Sequence, residues 1–295
     1  MKLTNKLGYP AAYVARVTKG MYKPKKESIG VTSLIDAPLV RHLLIKHWDD
    51  IVLDVDDFFK MSRGTAWHEY LESEIPEDVQ GEVLERIPYS KNLKISGKID
   101  IWDEKNGIIG DYKTCSPWAI VFGQDKKWEQ QLNVYAWMKR KNKTKVNKLE
   151  AYVFLWDWSK LDAGRDKNYP QRQYFTQNLP LWTFEQQQAY IDERMEYHKD
   201  PQECTAEEKW QSNKITVAGE SIIVTGPVYA VKKKDRKSAL RVLPSKSKAI
   251  DYICKTNLTA DYSSGKIFIE TREGCCRRCE EYCSVRGVCP YNKKG

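Results

Sequence analysis

Apolar positions along the chain follow two different periods, and together they predict a mixture of helices and strands. A period near 3.6 indicates a helix, whereas alternation or a short β-branched run indicates a strand. The predicted helices cover 31–48, a segment around Trp67 capped by Ser62 or Thr65, 126–141, 183–199 and 247–255. The predicted strands cover 83–89, 93–102, 108–112, 150–158, 171–176, 228–231, 239–243 and 267–271. This order of elements is typical of an α/β fold.

The distribution of these elements predicts four segments. Residues 1–30 carry scattered Lys, Gly and Pro without a period and are interpreted as an N-terminal extension. Residues 31–215 form the predicted core, and 216–271 form a small ββαβ insert. Residues 272–295 form a tail that contains five of the eight cysteines.

Composition narrows the class of protein. A charged fraction of 30% and a hydrophobic fraction of 41% are those of a globular chain. No apolar run approaches the roughly 20 residues that a membrane span needs, and the first residues lack the apolar core of a secretory signal. We therefore expect a cytoplasmic protein, in a bacterial cell or a phage-infected host. The net charge of +9 favours a polyanionic partner, and Lys126, Lys127, Lys139 and Arg140 are candidate phosphate contacts.

The dipeptide Asn106-Gly107 joins two strand-like runs and is a strong hairpin signal. With these residues at the centre of a type I′ turn, Asp100 faces Lys113. Side chains on a strand alternate with a period of two, so Asp100, Asp111 and Lys113 then project from one face. In this register Asp100 is diagonal to Asp111, close enough for both carboxylates to reach one cation.

Two carboxylates and a lysine in this arrangement suit phosphodiester hydrolysis. Mg²⁺ takes one or two carboxylates together with substrate phosphate, and it activates water. Lys113 would stabilise the developing charge or orient the attacking water. An isolated Asp-x-Lys is more often an ordinary ion pair, so the surrounding residues decide between the two interpretations.

The surrounding residues form an ordered set of short motifs. These are Gly64-x-x-x-His68, Gly97-Lys98-Ile99-Asp100, Gly110-Asp111-Tyr112-Lys113 and Gln131-x-x-x-Tyr135. The set resembles the RecB-type nucleases of the PD-(D/E)XK superfamily, which include phage exonucleases and CRISPR-associated adaptation nucleases. The resemblance covers roughly residues 31–200 and the cysteine tail. It implies a restriction-endonuclease-like α/β fold, with a central mixed β-sheet flanked by helices.

The resemblance also implies roles for individual residues. His68, Asp100 and Asp111 would bind Mg²⁺ or Mn²⁺, with the carbonyl of Tyr112 completing the ligand shell. Lys113 would be the catalytic lysine. The residues expected to position the substrate or support that lysine are Gln131 and Tyr135, and Glu85 is a candidate additional acid.

The cysteine tail predicts a second metal site. Its thiols follow the spacing Cys276-x₂-Cys279-x₃-Cys283-x₅-Cys289, which suits a 4Fe–4S cluster or Zn²⁺. Related nucleases use one N-terminal cysteine with three C-terminal ones, but the corresponding helix, which begins at Ser33, has none. The candidates for the fourth ligand are Cys276, Cys275 and His47. The scattered residues Cys115, Cys204 and Cys254 are interpreted as packing residues.

These observations predict a divalent-metal-dependent DNA exonuclease that acts on linear ends, single- or double-stranded. The resemblance suggests a role in phage or bacterial recombination, replication or repair, with a recombination protein as a candidate partner. One alternative is a structure-specific endonuclease on the same scaffold. The other is a non-catalytic DNA-binding subunit with a structural metal.

Overall fold

The computed structural model describes residues 1–121, 126–217 and 220–292. The chain divides into two compact units, Met1–Gln202 and Glu203–Gly295. The predicted boundaries at 215/216 and 271/272 both fall inside the second unit. Within the described residues, every helix is too short or too polar to cross a membrane.

The first unit contains eight strands, eight helices and a 3₁₀ turn at Val55–Phe58. Its strands are β1 (Lys2–Thr4), β2 (Ser28–Gly30), β3 (Val52–Asp54), β4 (Gln80–Ser90), β5 (Leu93–Asp103), β6 (Ile108–Cys115), β7 (Lys148–Leu155) and β8 (Tyr174–Leu179). Its helices are α1 (Ala11–Gly20), α2 (Val31–Ile35), α3 (Pro38–His47), α4 (Phe59–Glu72), α5 (Pro117–Val121), α6 (Lys126–Lys141), α7 (Lys160–Arg165) and α8 (Phe184–Lys199). These counts apply to the described ranges.

Six strands of the first unit form one mixed sheet in the order β2-β5-β6-β7-β8, with β4 paired to β5. The pairs β2–β5 and β6–β7 are parallel, and the other pairs are antiparallel. The predicted fold class, a central mixed sheet flanked by helices, is thus confirmed. Strand β2 belongs to the segment 1–30 that the sequence sets apart, so this segment contributes to the sheet.

The two faces of the sheet are visible in the side chains of β7. Leu149, Ala151, Val153 and Leu155 are buried in the main apolar core, which also contains residues of α6 and α8. The residues between them point to the opposite face, because side chains alternate along a strand. There Phe154 meets Trp67 of α4. Helices therefore pack on both faces of this strand.

The turn between β5 and β6 differs from the predicted one. Asp103 is the Cα partner of Ile108, so four residues connect the strands rather than two, and the predicted register is wrong. The Asp103 carboxylate accepts hydrogen bonds from the backbone and side chain of Asn106, which stabilises the longer turn. Gly107 has a φ of +68°, which glycine adopts without a Cβ clash.

Helix α4 begins earlier than its predicted caps. The Asp54 side chain caps the preceding 3₁₀ turn and forms a reciprocal capping box with Asp57. Helix α4 then continues from Phe59, so Ser62 and Thr65 lie inside the helix and the prediction that one of them caps it is wrong.

The described residues of the second unit form two three-stranded sheets. Its elements are β9 (Gln211–Val217), β10 (Glu220–Thr225), β11 (Val228–Lys233), β12 (Arg241–Leu243), α9 (Lys246–Lys255), α10 (Thr259–Ser263), β13 (Ile267–Arg272), β14 (Cys275–Cys276) and a π-helical turn at Arg278–Tyr282. One sheet has the order β12-β11-β13, and α9 packs on it. These elements follow the predicted ββαβ order, except that the short helix α10 precedes β13. The other has the order β10-β9-β14, and the sequence analysis did not predict it.

Candidate functional site

Asp111 and Lys113 lie on β6 with one residue between them, so their side chains share a face. The Lys113 ammonium is 2.5 Å from Oδ2 of Asp111. Asp111 is only 2% exposed. Its neighbour in the parallel ladder is Ala151 of β7, a small residue in the buried core. The strand therefore carries a carboxylate into the interior, paired with one cation.

Asp100 lies where β5 separates from its neighbours. The ladder with β6 ends at Ile101, and the ladder with β4 omits the position opposite Asp100, which is Glu82 with a φ of +48°. The Asp100 carboxylate accepts a 3.0 Å hydrogen bond from the backbone N–H of Tyr112. Asp100 thus bridges to β6 where no strand pairing competes for that N–H.

His68 reaches this point from α4. Its Nδ1 is 3.3 Å from Oδ2 of Asp100, and its ring centroid is 5.9 Å from that of Tyr112. Gly64, one turn earlier, lets the helix approach β6, because a Cβ there would lie 3.2 Å from Oγ1 of Thr114. Burial lowers the pKa of His68, but the hydrogen bond and charge of Asp100 outweigh it, so the net pKa is raised.

Gln131 connects the carboxylate and the lysine from α6. Its Oε1 accepts a 2.8 Å hydrogen bond from Lys113, and its Nε2 donates a 3.0 Å hydrogen bond to Oδ1 of Asp111. The same Nε2 donates to the hydroxyl of Tyr135 at 3.2 Å. Gly97 makes room for the Tyr135 ring, since a Cβ at that position would approach it to 2.5 Å.

The second carboxylate oxygen of Asp111 is compensated by Lys113. Oδ2 is buried, the Lys113 ammonium is 2.5 Å away, and no other described residue donates a hydrogen bond to it. Burial raises the pKa of Asp111 to about 6, because the charge of Lys113 offsets desolvation only in part and Asp100 opposes it. Buried carboxylates are normally paired with cations or bind metals. The incomplete compensation by Lys113 therefore fits an additional divalent cation.

The predicted active-site residues accordingly form one connected group. Direct contacts link His68 to Asp100, Asp100 to Tyr112, and Asp111 to Lys113 and Gln131. Among the described residues, no three His, Cys, Asp or Glu side chains are arranged to hold a metal ion by themselves. A Mg²⁺ site needs only one or two carboxylates when phosphate and water complete it. Metal binding and the roles of these residues remain predictions.

Several other predicted site residues are engaged elsewhere. Glu85 forms a 2.8 Å ion pair with Lys139, whose side chain is almost fully buried, and it accepts a hydrogen bond from Asn142. Arg140 donates hydrogen bonds to Trp182 and Gln187. The prediction that Lys139 contacts phosphate is therefore wrong, because its side chain is buried in an ion pair. For the half-buried Arg140 it stays a prediction.

The cysteines of the tail lie together in the second unit. Burial is the largest cause of the raised pKa of Cys279. The charges of Cys283, Cys276 and Cys289 also affect this pKa. Cys283 is buried. This soft donor set suits Zn²⁺ or an iron–sulfur cluster in its chemistry, although the described thiols do not form a closed metal-ligand arrangement. His47, a candidate fourth ligand, belongs to the first unit, where its Nδ1 is 3.2 Å from Asp50.

Cys204, which the sequence analysis interprets as a packing residue, lies near two of the tail cysteines. Burial and the charge of Glu208 raise its pKa to about 12, and Cys283 and Cys289 also contribute. The backbone explains why Cys204 lies near the tail cysteines, because the N–H of Arg278 donates a 3.1 Å hydrogen bond to the carbonyl of Lys209. Sequence spacing could not reveal it, since more than seventy residues separate Cys204 from Cys283 and Cys289.

Comparisons with known proteins give only distant similarities. No protein-family model and no curated protein matches the chain. The crystal structure of SSO0001 has 17% sequence identity and a TM-score of 0.44, covering 65% of this chain and 85% of its own. A phage related exonuclease from Haemophilus somnus 129PT has 16% identity and a TM-score of 0.34, covering 61% of this chain and 94% of its own.

Proposed function

We propose that the chain is a Mg²⁺- or Mn²⁺-dependent deoxyribonuclease that hydrolyses phosphodiester bonds at the ends of linear DNA. The observation that carries this proposal is the buried carboxylate of Asp111, which Lys113 compensates only in part while the like charge of Asp100 lies nearby. A structural ion pair gains nothing from a second carboxylate beside it, because a nearby like charge disfavours ionisation. A divalent cation would offset the charge of both carboxylates.

The residues that would hold the cation are Asp100 and Asp111, with His68 as a third ligand. His68 uses Nδ1 to contact Asp100, so its Nε2 is the ring nitrogen left for a ligand. When bound, the ion supplies a Lewis acid that activates water and neutralises charge on the phosphate. The carbonyl of Tyr112 remains the predicted additional ligand.

Lys113 acts on the phosphate in this proposal. A lysine ammonium has three N–H donors; one of them donates to Gln131, and the ammonium contacts Asp111. A donor is left for a phosphate oxygen, where negative charge grows as the water oxygen bonds to phosphorus. The attacking water loses a proton, the bond from phosphorus to the leaving oxygen breaks, and the leaving oxygen is protonated.

Charge supports DNA as the substrate. The chain has 49 Lys and Arg residues against 40 Asp and Glu residues. A net positive charge attracts the phosphate backbone and raises association rates. Nucleic acid also supplies the phosphate oxygens that a site with only two carboxylates needs for a complete ligand shell.

The test compares end-labelled single- and double-stranded DNA with and without Mg²⁺ or Mn²⁺. Wild type is compared with Asp111→Ala, Lys113→Ala and the control Asp78→Asn, which changes an exposed acidic residue. We expect metal-dependent degradation that both active-site variants lose while they still bind DNA, and that the control retains. Wild type that binds but leaves every substrate intact would show a non-catalytic binding subunit instead.

Closed circular DNA tests the exonuclease assignment. An enzyme that needs an end leaves a covalently closed circle intact and degrades it once it is linearised. Cutting of the closed circle would identify a structure-specific endonuclease on the same scaffold.

A further inference from the structure

An aromatic pocket lies beside the candidate active site. It has a volume of about 320 Å³. Its lining residues are Trp67, Phe154, Leu155, Trp156, Gln173 and Tyr174. Binding pockets for small ligands have volumes of roughly 300–1,000 Å³, so this one suits a single small heterocycle. We call these six residues the aromatic pocket.

The rings of the aromatic pocket contact one another in edge-to-face and tilted arrangements. The centroid of Trp67 is 5.3 Å from those of Phe154 and Trp156, and Phe154 is 4.9 Å from Tyr174. Trp156 and Tyr174 are nevertheless 39% and 45% exposed. Flat aromatic surface that remains open to solvent is available for stacking by a planar ligand.

Trp67 supplies a polar group that calls for a ligand acceptor. Its Nε1 is buried and has no hydrogen-bond partner among the described residues. Indole Nε1 is a donor only, so an acceptor oxygen or nitrogen on a bound molecule would satisfy it where no described residue does. Every nucleobase carries such acceptors on a planar aromatic ring.

The aromatic pocket lies close to the proposed catalytic group. Trp67 is the neighbour of His68 on α4. The ring of Tyr112 bridges the two regions, since its centroid is 5.9 Å from His68 and 6.5 Å from Phe154. A base in the pocket therefore belongs to a nucleotide near the bond that is cut.

Positive charge at the edge of the aromatic pocket complements a phosphate. The exposed Arg63 has its guanidinium 5.6 Å from the ring centroid of Trp156. The pocket thus combines a stacking surface, a hydrogen-bond donor and a cation. These are the groups that recognise a base and its adjoining phosphate in single-stranded nucleic acid.

We propose that the aromatic pocket binds an unpaired nucleobase of the strand at the active site, so that single-stranded or frayed ends are preferred over paired ends. This inference rests on the proposed nuclease function. A base that remains in a duplex keeps its two faces against neighbouring base pairs and cannot enter the pocket without unstacking.

The experiment measures binding in EDTA, so that no strand is cut. Single-stranded oligonucleotides carry 2-aminopurine at one end and then at the other, and each has an abasic counterpart. We expect wild type to quench the fluorescence of 2-aminopurine when this base is at one of the two ends and not at the other. Wild type should bind the quenched oligonucleotide about 10-fold more tightly than its abasic counterpart. Trp156→Ala should lose this preference and bind both oligonucleotides alike.

Two further variants make the result specific. Trp67→Phe keeps a ring but removes the indole N–H, so it should reduce the preference even if Trp156→Ala fails to fold. Tyr197→Ala is the control, because Tyr197 is 50% exposed, like Tyr174, but does not line the pocket. It should keep the wild-type preference.

Equal affinity of wild type for the base-containing and abasic oligonucleotides would overturn the inference. An equal loss of preference in Tyr197→Ala and Trp156→Ala would overturn it as well. A separate cleavage assay with Mg²⁺ tests the proposed function. A preference for the base without cleavage overturns only the nuclease proposal, whereas cleavage without this preference overturns only the pocket.

Discussion

The side-chain amide of Gln131 donates a 3.0 Å hydrogen bond to Oδ1 of Asp111. This bond satisfies one oxygen of the carboxylate, whereas the buried Oδ2 has only the Lys113 ammonium beside it among the described residues. The site therefore holds a charged group under conditions that favour its neutral form. Such an arrangement destabilises the metal-free protein, and it is the basis of two predictions.

Replacing Asp111 with Asn should stabilise the metal-free protein at pH 8 while it abolishes cleavage. The folded-state pKa of about 6 lies above the unfolded value of 3.8. The contribution of Asp111 to stability is therefore full below pH 3.8 and is lost as the pH rises through 6. Removing the charge should raise the free energy of unfolding by about 1 kcal/mol at pH 8.

Urea unfolding in EDTA at pH 8 and pH 5 measures this effect. The gain in Asp111→Asn should shrink at pH 5, where the wild-type carboxylate is largely protonated. Asp78→Asn, the exposed control, should show no gain at either pH. A variant that is less stable than wild type at pH 8, or that still cuts DNA, contradicts the prediction.

Replacing Gln131 with Glu should separate positioning from binding. The new carboxylate can still accept from Lys113, but it cannot donate to Asp111 and adds a like charge beside it. We expect kcat to fall about 10-fold or more, whereas KM for DNA changes little. The extra charge also raises the pKa of Asp111, so the acid limb of the pH–rate profile should move to higher pH.

Gln130→Glu is the matched control, because it adds the same charge at the neighbouring position of α6. It should keep the wild-type kcat and pH profile. Equal effects of the two substitutions would mean that added charge, rather than the bridge between Asp111 and Lys113, is responsible.

Local patterns predicted most of the elements that carry the site. Helix α6 has the predicted bounds, Lys126–Lys141. Its i, i+4 pair, Gln131 and Tyr135, does form a hydrogen bond. Periodicity succeeds here because the residues on the buried face of a helix recur every three or four positions along the sequence. The break between α2 and α3 was missed, although Pro38 explains it, because the residue before proline disfavours helical geometry.

The sequence analysis missed features of two kinds, one local and the others long-range. The hairpin register was predicted wrongly for a local reason, because the Asp103 carboxylate accepts hydrogen bonds from Asn106 three residues later and lengthens the turn. The position of Asp100 follows from the interrupted ladder opposite Glu82, and no local pattern signals that interruption. The partner of Lys139 is Glu85, more than fifty residues away, so a predicted phosphate contact is in fact an internal ion pair.

Acid should destabilise the protein through His198. Its Nε2 is 3.1 Å from the carbonyl oxygen of Leu34, and burial, together with the charges of Arg194 and Arg41, lowers its pKa to about 4. Because the unfolded histidine titrates near 6.5, the unfolded chain binds more protons between pH 6.5 and 4. Stability is therefore full above pH 6.5 and decreases as the pH falls.

The measurement is the free energy of unfolding at pH 7.5 and pH 5 for wild type and His198→Gln. Between pH 7.5 and pH 5 the free energy of unfolding of wild type should decrease by on the order of 1 kcal/mol more than that of the variant, after allowance for partial exposure of the ring. The comparison isolates His198. Asp111 also changes the stability with pH, in the opposite direction, but its contribution is the same in both proteins. An identical pH dependence in the two proteins contradicts the prediction.

Cys204 should be required for the tail to retain its predicted metal. Cys204 interacts electrostatically with Cys283 and Cys289, and the tail is fixed against the segment that follows Cys204 by pairing of Cys276 with Gln211. Thiolates bind soft metals more tightly than hydroxyl groups do. We therefore expect Cys204→Ser to lower the metal content of the purified protein well below that of wild type.

Elemental analysis gives the metal content, and visible absorption distinguishes an iron–sulfur cluster from Zn²⁺, which has none. Cys254→Ser is the control, because Cys254 is exposed on α9 and should leave the metal content unchanged. If Cys204→Ser retains the wild-type content while Cys276→Ser loses it, Cys276 completes the ligand set and Cys204 is a packing residue. If wild type contains no metal when purified without oxygen and chelators, the predicted tail site itself is wrong.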